Sequence, residues 1–135
     1  YKYAASSKII YRKDVTLPGK VFVTGGYGGS DVLVSTEIYD PTIGTWTDTG
    51  ALNIGRYMHI ATLLSNGMVL VVGSSTTTSA NSTELYSPTT GLWTKTGDLN
   101  AGRFYYHTAT LLQNGMVLVA GGIGGGVVIA STEFY

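Results

Sequence analysis

Two histidines, His59 and His107, are the side chains of this sequence best suited to bind a transition metal. Copper and zinc sites need several such donors that converge on one point. Each histidine instead lies shortly after an arginine and begins a similar segment, HIATLL or HTATLL. Because the two histidines occupy matching places in a repeating pattern, we expect them to serve the same structural purpose twice. We therefore predict no metal site and no bound cofactor.

Recurring carboxylates are the second candidate for chemistry, because a pair of them can hydrolyse a glycosidic bond. That reaction needs two carboxylates with different surroundings beside one bond, whereas repeat-equivalent glutamates share their surroundings. Two arginines recur as well, and a buried charge requires a partner. We predict that the glutamates pair with the arginines, or with backbone donors, where neighbouring repeats meet. These residues are Glu37, Glu84, Glu133, Arg56 and Arg103.

Nucleophilic chemistry finds little support in the sequence. The 135 residues contain no cysteine, which excludes thiolate nucleophiles, disulfides and cysteine-based metal sites from them. No serine or threonine has histidine and aspartate partners at a catalytic-motif spacing. The glycines from Gly121 to Gly126 follow a strand but open no helix, so they form no phosphate cradle. No catalytic set emerges, and we predict that the chain is not an enzyme.

Composition excludes two further classes of partner. The formal net charge is zero and only 12% of the residues are charged, which gives no electrostatic attraction to nucleic acid or to an anionic membrane. The longest apolar runs, such as Met116 to Ala120, are too short to span a bilayer. We therefore predict neither a nucleic-acid nor a membrane partner.

The elements that carry these residues form a repeat. Val21, Val69 and Val117 begin similar apolar segments at intervals of 48 residues. Each segment ends in small residues, and a Ser-Thr-Glu-x-Tyr sequence follows it. Such a period is typical of propeller blades. The other repeated positions that we assign to structure are glycines, tyrosines and tryptophans: Gly25, Gly26, Gly73, Gly121, Gly122, Tyr39, Tyr86, Trp46 and Trp93.

Each repeat is predicted to form four short strands, and no stretch has sustained helical periodicity. An Asn-Gly pair between the first two strands favours a two-residue type I′ turn, at Asn66-Gly67 and at Asn114-Gly115. Prolines Pro41 and Pro88 end the third strand because proline cannot donate to a ladder. In the second repeat the predicted strands are His59 to Leu64, Met68 to Val72, Ser82 to Tyr86, and a fourth that carries Trp93 and ends at Gly97.

The order of several short features resembles the kelch motif. Small residues follow an apolar strand, then come Glu-x-Tyr with Asp-Pro or Ser-Pro, then Gly-x-Trp, and then Arg and His before the next strand. The resemblance begins at about Leu17, and the pattern LLxNGxVLVxGG resembles the galactose oxidase-like branch. It implies β-propeller blades of four antiparallel strands, with HTATLL innermost and the Trp strand outermost. Galactose oxidase-type copper chemistry would use a tyrosine cross-linked to cysteine, which this chain lacks. Residues 1 to 16 depart from the pattern, as do Pro18-Gly19 and Ser74.

The resemblance predicts an all-β fold in which residues 1–135 form part of a kelch β-propeller. We place the blades at about 1–50, 51–97 and 98–135, the last one truncated. Propellers typically have about four to eight blades, so two to three blades make an incomplete ring. Further blades of a longer chain, or self-association of copies, would complete it.

Function is predicted where the repeats differ. The loops Tyr27 to Val34, Ser74 to Asn81 and Ile123 to Ala130 vary in sequence, and variable loops often form the binding face of a repeat protein. Aromatic residues that follow the arginines could be anchors beside them. The candidate binding residues are Tyr27, Asp31, Ser75, Asn81, Ile123, Tyr57 and Tyr105, with Met58, Phe104 and Tyr106 beside them.

The chain is thus predicted to be a non-enzymatic kelch-repeat scaffold that presents loops to a protein or glycan ligand. The alternative is a non-catalytic portion of a galactose oxidase-like copper enzyme whose active-site residues lie outside these 135 residues.

Overall fold

A computed structural model describes residues 10–12 and 19–135. This part of the chain is all-β and forms three antiparallel sheets in an open arrangement, as expected for part of a kelch propeller. It contains no helix that is long and apolar enough to cross a membrane. The departures from the repeat that we noted in residues 1 to 16 and at Pro18 lie outside the described side chains.

In the first two repeats the strands follow the predicted order, and the third repeat contains one strand more than predicted before its end. The first sheet contains β1 (Ile10–Arg12), β2 (Lys20–Thr24), β3 (Thr36–Asp40) and β4 (Thr45–Asp48). The second contains β5 (Ile60–Leu63), β6 (Val69–Val72), β7 (Thr83–Ser87) and β8 (Leu92–Lys95). The third contains β9 (Tyr105–Leu111), β10 (Val117–Gly124), β11 (Val127–Val128) and β12 (Thr132–Phe134), and its other three strands all pair with β10.

The turn between β5 and β6 differs from the predicted type I′ turn. That turn needs a positive φ at both central residues, but Gly67 has one (82°) and Asn66 does not. Gly67 N donates to the carbonyl of Leu64, and Leu64 N donates to the carbonyl of Met68. The loop therefore has three residues, a type I turn followed by a left-handed glycine. The same arrangement recurs at Gly115.

The strand β10 also differs from the prediction, which ended it at Ala120 and made the following residues a loop. It continues to Gly124 and turns back into β11 through Gly125 and Gly126, whose φ angles are 59° and 82°. Two successive positive φ angles are what a two-residue hairpin turn requires. Ile123 therefore lies in a strand, in register with Val128, rather than in a variable loop.

The hydrophobic core lies between the sheets rather than inside any one of them. Val69 and Val71 of β6 pack towards Phe22 of the first sheet. Leu70 and Val72 of the same strand pack towards the third sheet, because successive side chains of a strand point to opposite faces. Each sheet therefore depends on its neighbour to bury an apolar face.

The two repeat-equivalent tryptophans, expected to share a packing role, have different environments. Trp93 is 7% exposed, packs against Phe22 and donates its Nε1 hydrogen to Thr36 Oγ1 at 3.1 Å. It thus packs onto the sheet that precedes its own. Trp46 is 54% exposed and contacts Tyr39 of its own sheet, because the described residues contain no sheet ahead of the first.

Candidate functional site

The segment that joins two sheets is anchored to both. Arg56 lies between β4 and β5. Its backbone N donates to the carbonyl of Leu33, and its backbone carbonyl accepts from Gly26 N at 2.8 Å. Both partners follow β2 of the first sheet. The side chain of Arg56 reaches in the other direction, into the second sheet. One residue therefore connects two sheets through its backbone and its side chain.

The guanidinium of Arg56 is fully buried and paired. Nη2 lies 2.7 Å from Glu84 Oε1 and donates to Ser82 Oγ at 3.1 Å. Nη1 donates to the backbone carbonyls of Gly73 and Ser82, both at 3.2 Å. These contacts tie the guanidinium to the carbonyl at the end of β6 and to the start of β7, as a structural pair requires.

The carboxylate of Glu84 is saturated by donors. It accepts from the backbone N of Asn53 at 2.8 Å, from the side-chain amide of Asn53 at 2.8 Å and from the backbone N of Ile54 at 3.1 Å. Burial alone would raise the pKa of Glu84, but the hydrogen bonds from Asn53 and Arg56 outweigh it and hold the pKa below its usual value. A carboxylate held ionised and fully bonded is a structural group rather than a proton donor.

The arrangement recurs at the next junction. Arg103 Nη2 lies 2.8 Å from Glu133 Oε1, and Nη1 donates to the carbonyl of Gly121. The carboxylate of Glu133 also accepts from the backbone N of Asn100 at 2.6 Å. Glu84 and Glu133 each bond an arginine and backbone donors, so both kinds of partner that the sequence analysis considered are present. Glu37 lies at the equivalent position of β3, in register with Val23.

The histidines occupy the same junctions, next to glycines. The imidazole of His107 is buried, and its Nε2 donates to the carbonyl of Val72 at 3.0 Å. A Cβ on Gly73, where φ is +68°, would lie 2.7 Å from the carbonyl oxygen of Arg103 and 2.8 Å from His107 Cε1. The position therefore requires glycine for its backbone angle and for the close approach of the next sheet. Gly25 repeats this arrangement beside His59.

The described residues do not form a copper site. Burial lowers the pKa of His59 to about 3, and the charges of Arg56 and His107 act in the same direction. His107 uses Nε2 to bond a backbone carbonyl. Among the residues that the structure describes, no three His, Asp or Glu side chains come together as metal ligands, and the chain has no cysteine.

The buried histidines predict a loss of stability in mild acid. Unfolded histidine titrates near pH 6.5, whereas folded His59 titrates at about pH 3. Between these values the unfolded chain binds more protons, so stability falls as the pH falls. We expect His59 alone to cost about 2 kcal/mol between pH 6.5 and pH 5, measured by urea unfolding. The same loss in His59→Gln would contradict the assignment. The carboxyls of Glu84 and Glu133 contribute mainly below about pH 4.5.

The predicted binding loops meet at one end of the sheets. The first strand of a sheet runs antiparallel to the second, so it begins where the second ends. Backbone hydrogen bonds join the two parts within a sheet: Ser75 N donates to the carbonyl of Tyr57 at 2.9 Å in the second sheet, and Phe104 N donates to the carbonyl of Ile123 at 2.7 Å in the third. We call this surface the loop end. It comprises residues 26–34, 57–58, 74–81, 104–106 and 123–130.

Aromatic rings line the loop end. The rings of Tyr27 and Tyr57 lie 5.2 Å apart across the first junction. Tyr105 lies 6.1 Å from Tyr106, whose side chain is 86% exposed. Tyr106 and its equivalent Met58 have positive φ angles, 59° and 57°, which cost about 1–2 kcal/mol in a residue other than glycine. The sequence did not predict this strain. The one signal for it was that both residues directly precede a histidine.

The remaining candidate residues also lie at the loop end. Asp31 is exposed and accepts from Ser30 Oγ at 2.8 Å. Asn81 is exposed, and its backbone carbonyl accepts from Leu99 N at 2.7 Å. Ser75 is half-buried, and its hydroxyl has no hydrogen-bond partner among the described residues. Ile123 is present too, although in a strand.

A shallow cavity of about 320 Å³ lies at the opposite end of the second sheet. None of the side chains that line it is ionisable, so it offers no acid or base for catalysis. They are Asn66, Met68, Ser87, Pro88 and Thr89.

Comparisons with known proteins agree with the fold. A Kelch motif matches residues 11–53. Among solved structures, the chain is similar to one described as a novel fungal alcohol oxidase with catalytic diversity among the AA5 family, in complex with copper. The two are 26% identical with a TM-score of 0.69, over 78% of this chain and 24% of that one. The chain thus spans about a quarter of that oxidase's length. No curated protein matches it. These findings confirm the predicted fold, part of a kelch propeller.

Proposed function

We propose that the chain is a non-enzymatic kelch-repeat scaffold that binds a protein or glycan ligand at the loop end. The observation that carries the proposal is the conformation of Met58 and Tyr106. Both residues adopt a left-handed backbone, and both expose large side chains to solvent. Strained residues cluster at binding sites, where the strain is part of the function.

The strain is not needed for folding. Glycine or asparagine at either position would adopt the same backbone angle at a lower cost. A fold shaped by stability alone would therefore not place a long apolar side chain there. Exposed aromatic rings with few rotatable bonds are effective anchors for a partner.

The character of the loop end favours an uncharged ligand. Asp31 is the one ionisable acid or base in its loops apart from the tyrosines. Hydroxyl groups are abundant in residues 74–79, and tyrosines add rings with polar tips. Such a surface binds through ring contacts and neutral hydrogen bonds rather than through salt bridges.

The groups that could catalyse a reaction are engaged elsewhere. Arg56 and Glu84 bond one another, and His107 bonds a backbone carbonyl. The second candidate function, a non-catalytic portion of a galactose oxidase-like copper enzyme, is supported by the similarity to the alcohol oxidase. In that case the metal ligands are supplied from outside these 135 residues.

An array of neutral oligosaccharides and a displayed peptide library, both probed with the full chain, test the proposal. For any ligand found, Tyr106→Gly should weaken binding at least about tenfold. The same substitution should leave the free energy of unfolding unchanged or raise it by up to about 1 kcal/mol, because glycine relieves the strained φ. Ile43→Ala, at an exposed turn away from the loop end, is the matched control and should bind normally.

Two outcomes would count against the scaffold. A ligand that binds wild type and Tyr106→Gly equally would place the site elsewhere. The absence of any ligand on both arrays would favour the second candidate, which predicts that a longer protein containing this chain binds copper.

A further inference from the structure

Asn81 is the one asparagine of the chain that begins an Asn-x-Ser/Thr sequence, Asn81-Ser82-Thr83. Such a sequence is the acceptor for N-linked glycans when its middle residue is not proline. A glycan is bulky and hydrophilic, so a folded protein tolerates one only where the asparagine side chain reaches solvent. Whether Asn81 meets that condition depends on its place in the fold.

The two hydroxyl residues of this sequence are part of the buried fold. Ser82 Oγ accepts from Arg56 Nη2 at 3.1 Å, and Thr83 Oγ1 donates to a backbone carbonyl at 2.6 Å. A Ser-Thr pair recurs at the same place in the other two repeats, where valine and alanine precede it. Asn81 is therefore the residue that makes an acceptor sequence out of a structural Ser-Thr pair.

The backbone around Asn81 is fixed by the linker to the third sheet. The carbonyl of Asn81 accepts from Leu99 N at 2.7 Å, and the carbonyl of Ala80 accepts from Arg103 N at 2.8 Å. Ala80 and Ser82 are only 3% and 2% exposed, whereas Asn81 between them is exposed. Because hydrogen bonds fix this backbone and both neighbours are buried, the fold itself directs the side chain of Asn81 to solvent.

The side-chain amide of Asn81 is available for a covalent bond, since it forms no hydrogen bond with any described residue. The other asparagines are engaged. The amides of Asn53 and Asn100 donate to the carboxylates at the junctions. The side chains of Asn66 and Asn114 accept backbone hydrogens in their turns. Asn81 is thus the asparagine whose side chain the fold does not use.

The equivalent position of the first repeat is exposed in the same way. Val34 is 41% exposed, and its carbonyl accepts from Leu52 N at 2.9 Å. Asn81 remains exposed although a described sheet lies on each side of its own. Exposure at this place is therefore a property of the repeat, and the sequence there is free to vary.

We propose that Asn81 is an acceptor for an N-linked glycan. In the transfer, Nδ2 of Asn81 forms a bond to the anomeric carbon of an oligosaccharide carried by a polyprenyl diphosphate. The bond between that carbon and the diphosphate oxygen breaks, the polyprenyl diphosphate leaves, and the amide loses one proton. The modification does not depend on the ligand proposed for the loop end, which rests on Met58 and Tyr106.

The full chain, produced in cultured mammalian cells behind a cleavable secretion signal, tests the proposal. Total protein from cells and medium is treated with peptide N-glycosidase F, which removes the glycan and leaves aspartate in place of the glycosylated asparagine. We expect the treatment to lower the apparent mass on a gel, and mass spectrometry to locate the new aspartate in place of Asn81. Asn81→Gln should abolish the mass shift. Asn114→Gln, at an exposed turn, is the matched control and should keep it.

A second variant tests whether the fold exposes this place in the repeat. Val34→Asn creates the same acceptor sequence before Ser35-Thr36 and should add a second glycan. In the wild type and in this variant, the glycosylated chain should have a thermal midpoint no lower than that of the enzyme-treated chain, because the glycan extends into solvent.

Three results would overturn the proposal. They are an unchanged apparent mass of the wild-type chain after treatment, a mass shift that persists in Asn81→Gln, and a glycosylated wild-type chain that unfolds at a lower temperature than the treated one. The last result would show that the glycan clashes with the folded repeat.

Discussion

Arg56→Met should lower the free energy of unfolding by about 3–5 kcal/mol, measured by urea unfolding at pH 7. Methionine is apolar and has a side chain of similar length to arginine. The substitution therefore leaves Glu84 as a buried charge without its cation. Breaking a buried ion pair on one side costs this much because the remaining carboxylate has neither its cation nor water in place of the cation. Loop-end binding by the folded fraction should not change, since Arg56 is fully buried.

Two comparisons distinguish the stability contributed by the buried ion pair from the effect of removing any positive charge. Lys95→Met breaks an exposed pair with Asp98 and should cost less than about 1 kcal/mol. Arg103→Met should cost less than Arg56→Met, because Glu133 is partly exposed and water can solvate it. A loss under about 1 kcal/mol for Arg56→Met would show that the pair does not stabilise the junction.

Gly73→Ala should strongly destabilise the junction between the second and third sheets. A left-handed φ costs alanine about 1–2 kcal/mol. The added Cβ also meets the backbone carbonyl of Arg103 at 2.7 Å, which cannot rotate away as a side chain could. Forced overpacking adds about 1–3 kcal/mol. We expect the thermal midpoint and the free energy of unfolding to fall together.

Gly121→Ala is the matched control for that prediction. Gly121 has the same φ, +68°, but the nearest atom to its added Cβ is 3.9 Å away. The substitution should therefore cost only the strain of about 1–2 kcal/mol. If the two variants lost equal stability, the close approach of Arg103 would contribute nothing.

Much of the fold could be predicted because the repeat makes local and global signals agree. Apolar runs punctuated by glycine and proline give the strands and their order. The Arg–Glu pairs could be predicted as well, because a charge that recurs with the core must be buried with a partner. In the structure Arg56 and Glu84 are both fully buried.

Turn geometry could not be predicted from the Asn-Gly pair alone. The register from Leu63 to Val69 leaves room for a longer connection, and Asn66 then bonds Met68 N with its side chain instead of turning left-handed. At Gly121 and Gly122, by contrast, a predicted turn is absent. The strand continues through them because Gly125 and Gly126, further along the chain, form the turn instead. Strand pairing decided both cases, and pairing partners are not encoded at the turn itself.

Burial of equivalent residues was the other limit. Trp46 and Trp93 have nearly the same sequence around them, yet their exposure differs because only Trp93 has a preceding sheet to cover it. The positive φ of Tyr106 could not be predicted either, because its residue type rarely adopts that backbone angle.

The double anchoring of Arg56 means that the unit of repetition in the sequence is not the unit of cooperation in the molecule. A sequence repeat that starts at the linker includes the side chain of Arg56. The amide of Gly26 and the carbonyl of Leu33, which form hydrogen bonds with that linker, belong to the preceding repeat. Each sheet thus forms some of its hydrogen bonds with the repeat that follows. Loss of one sheet would leave unpaired groups in the neighbour, so disorder would spread along the array rather than stop at a blade boundary.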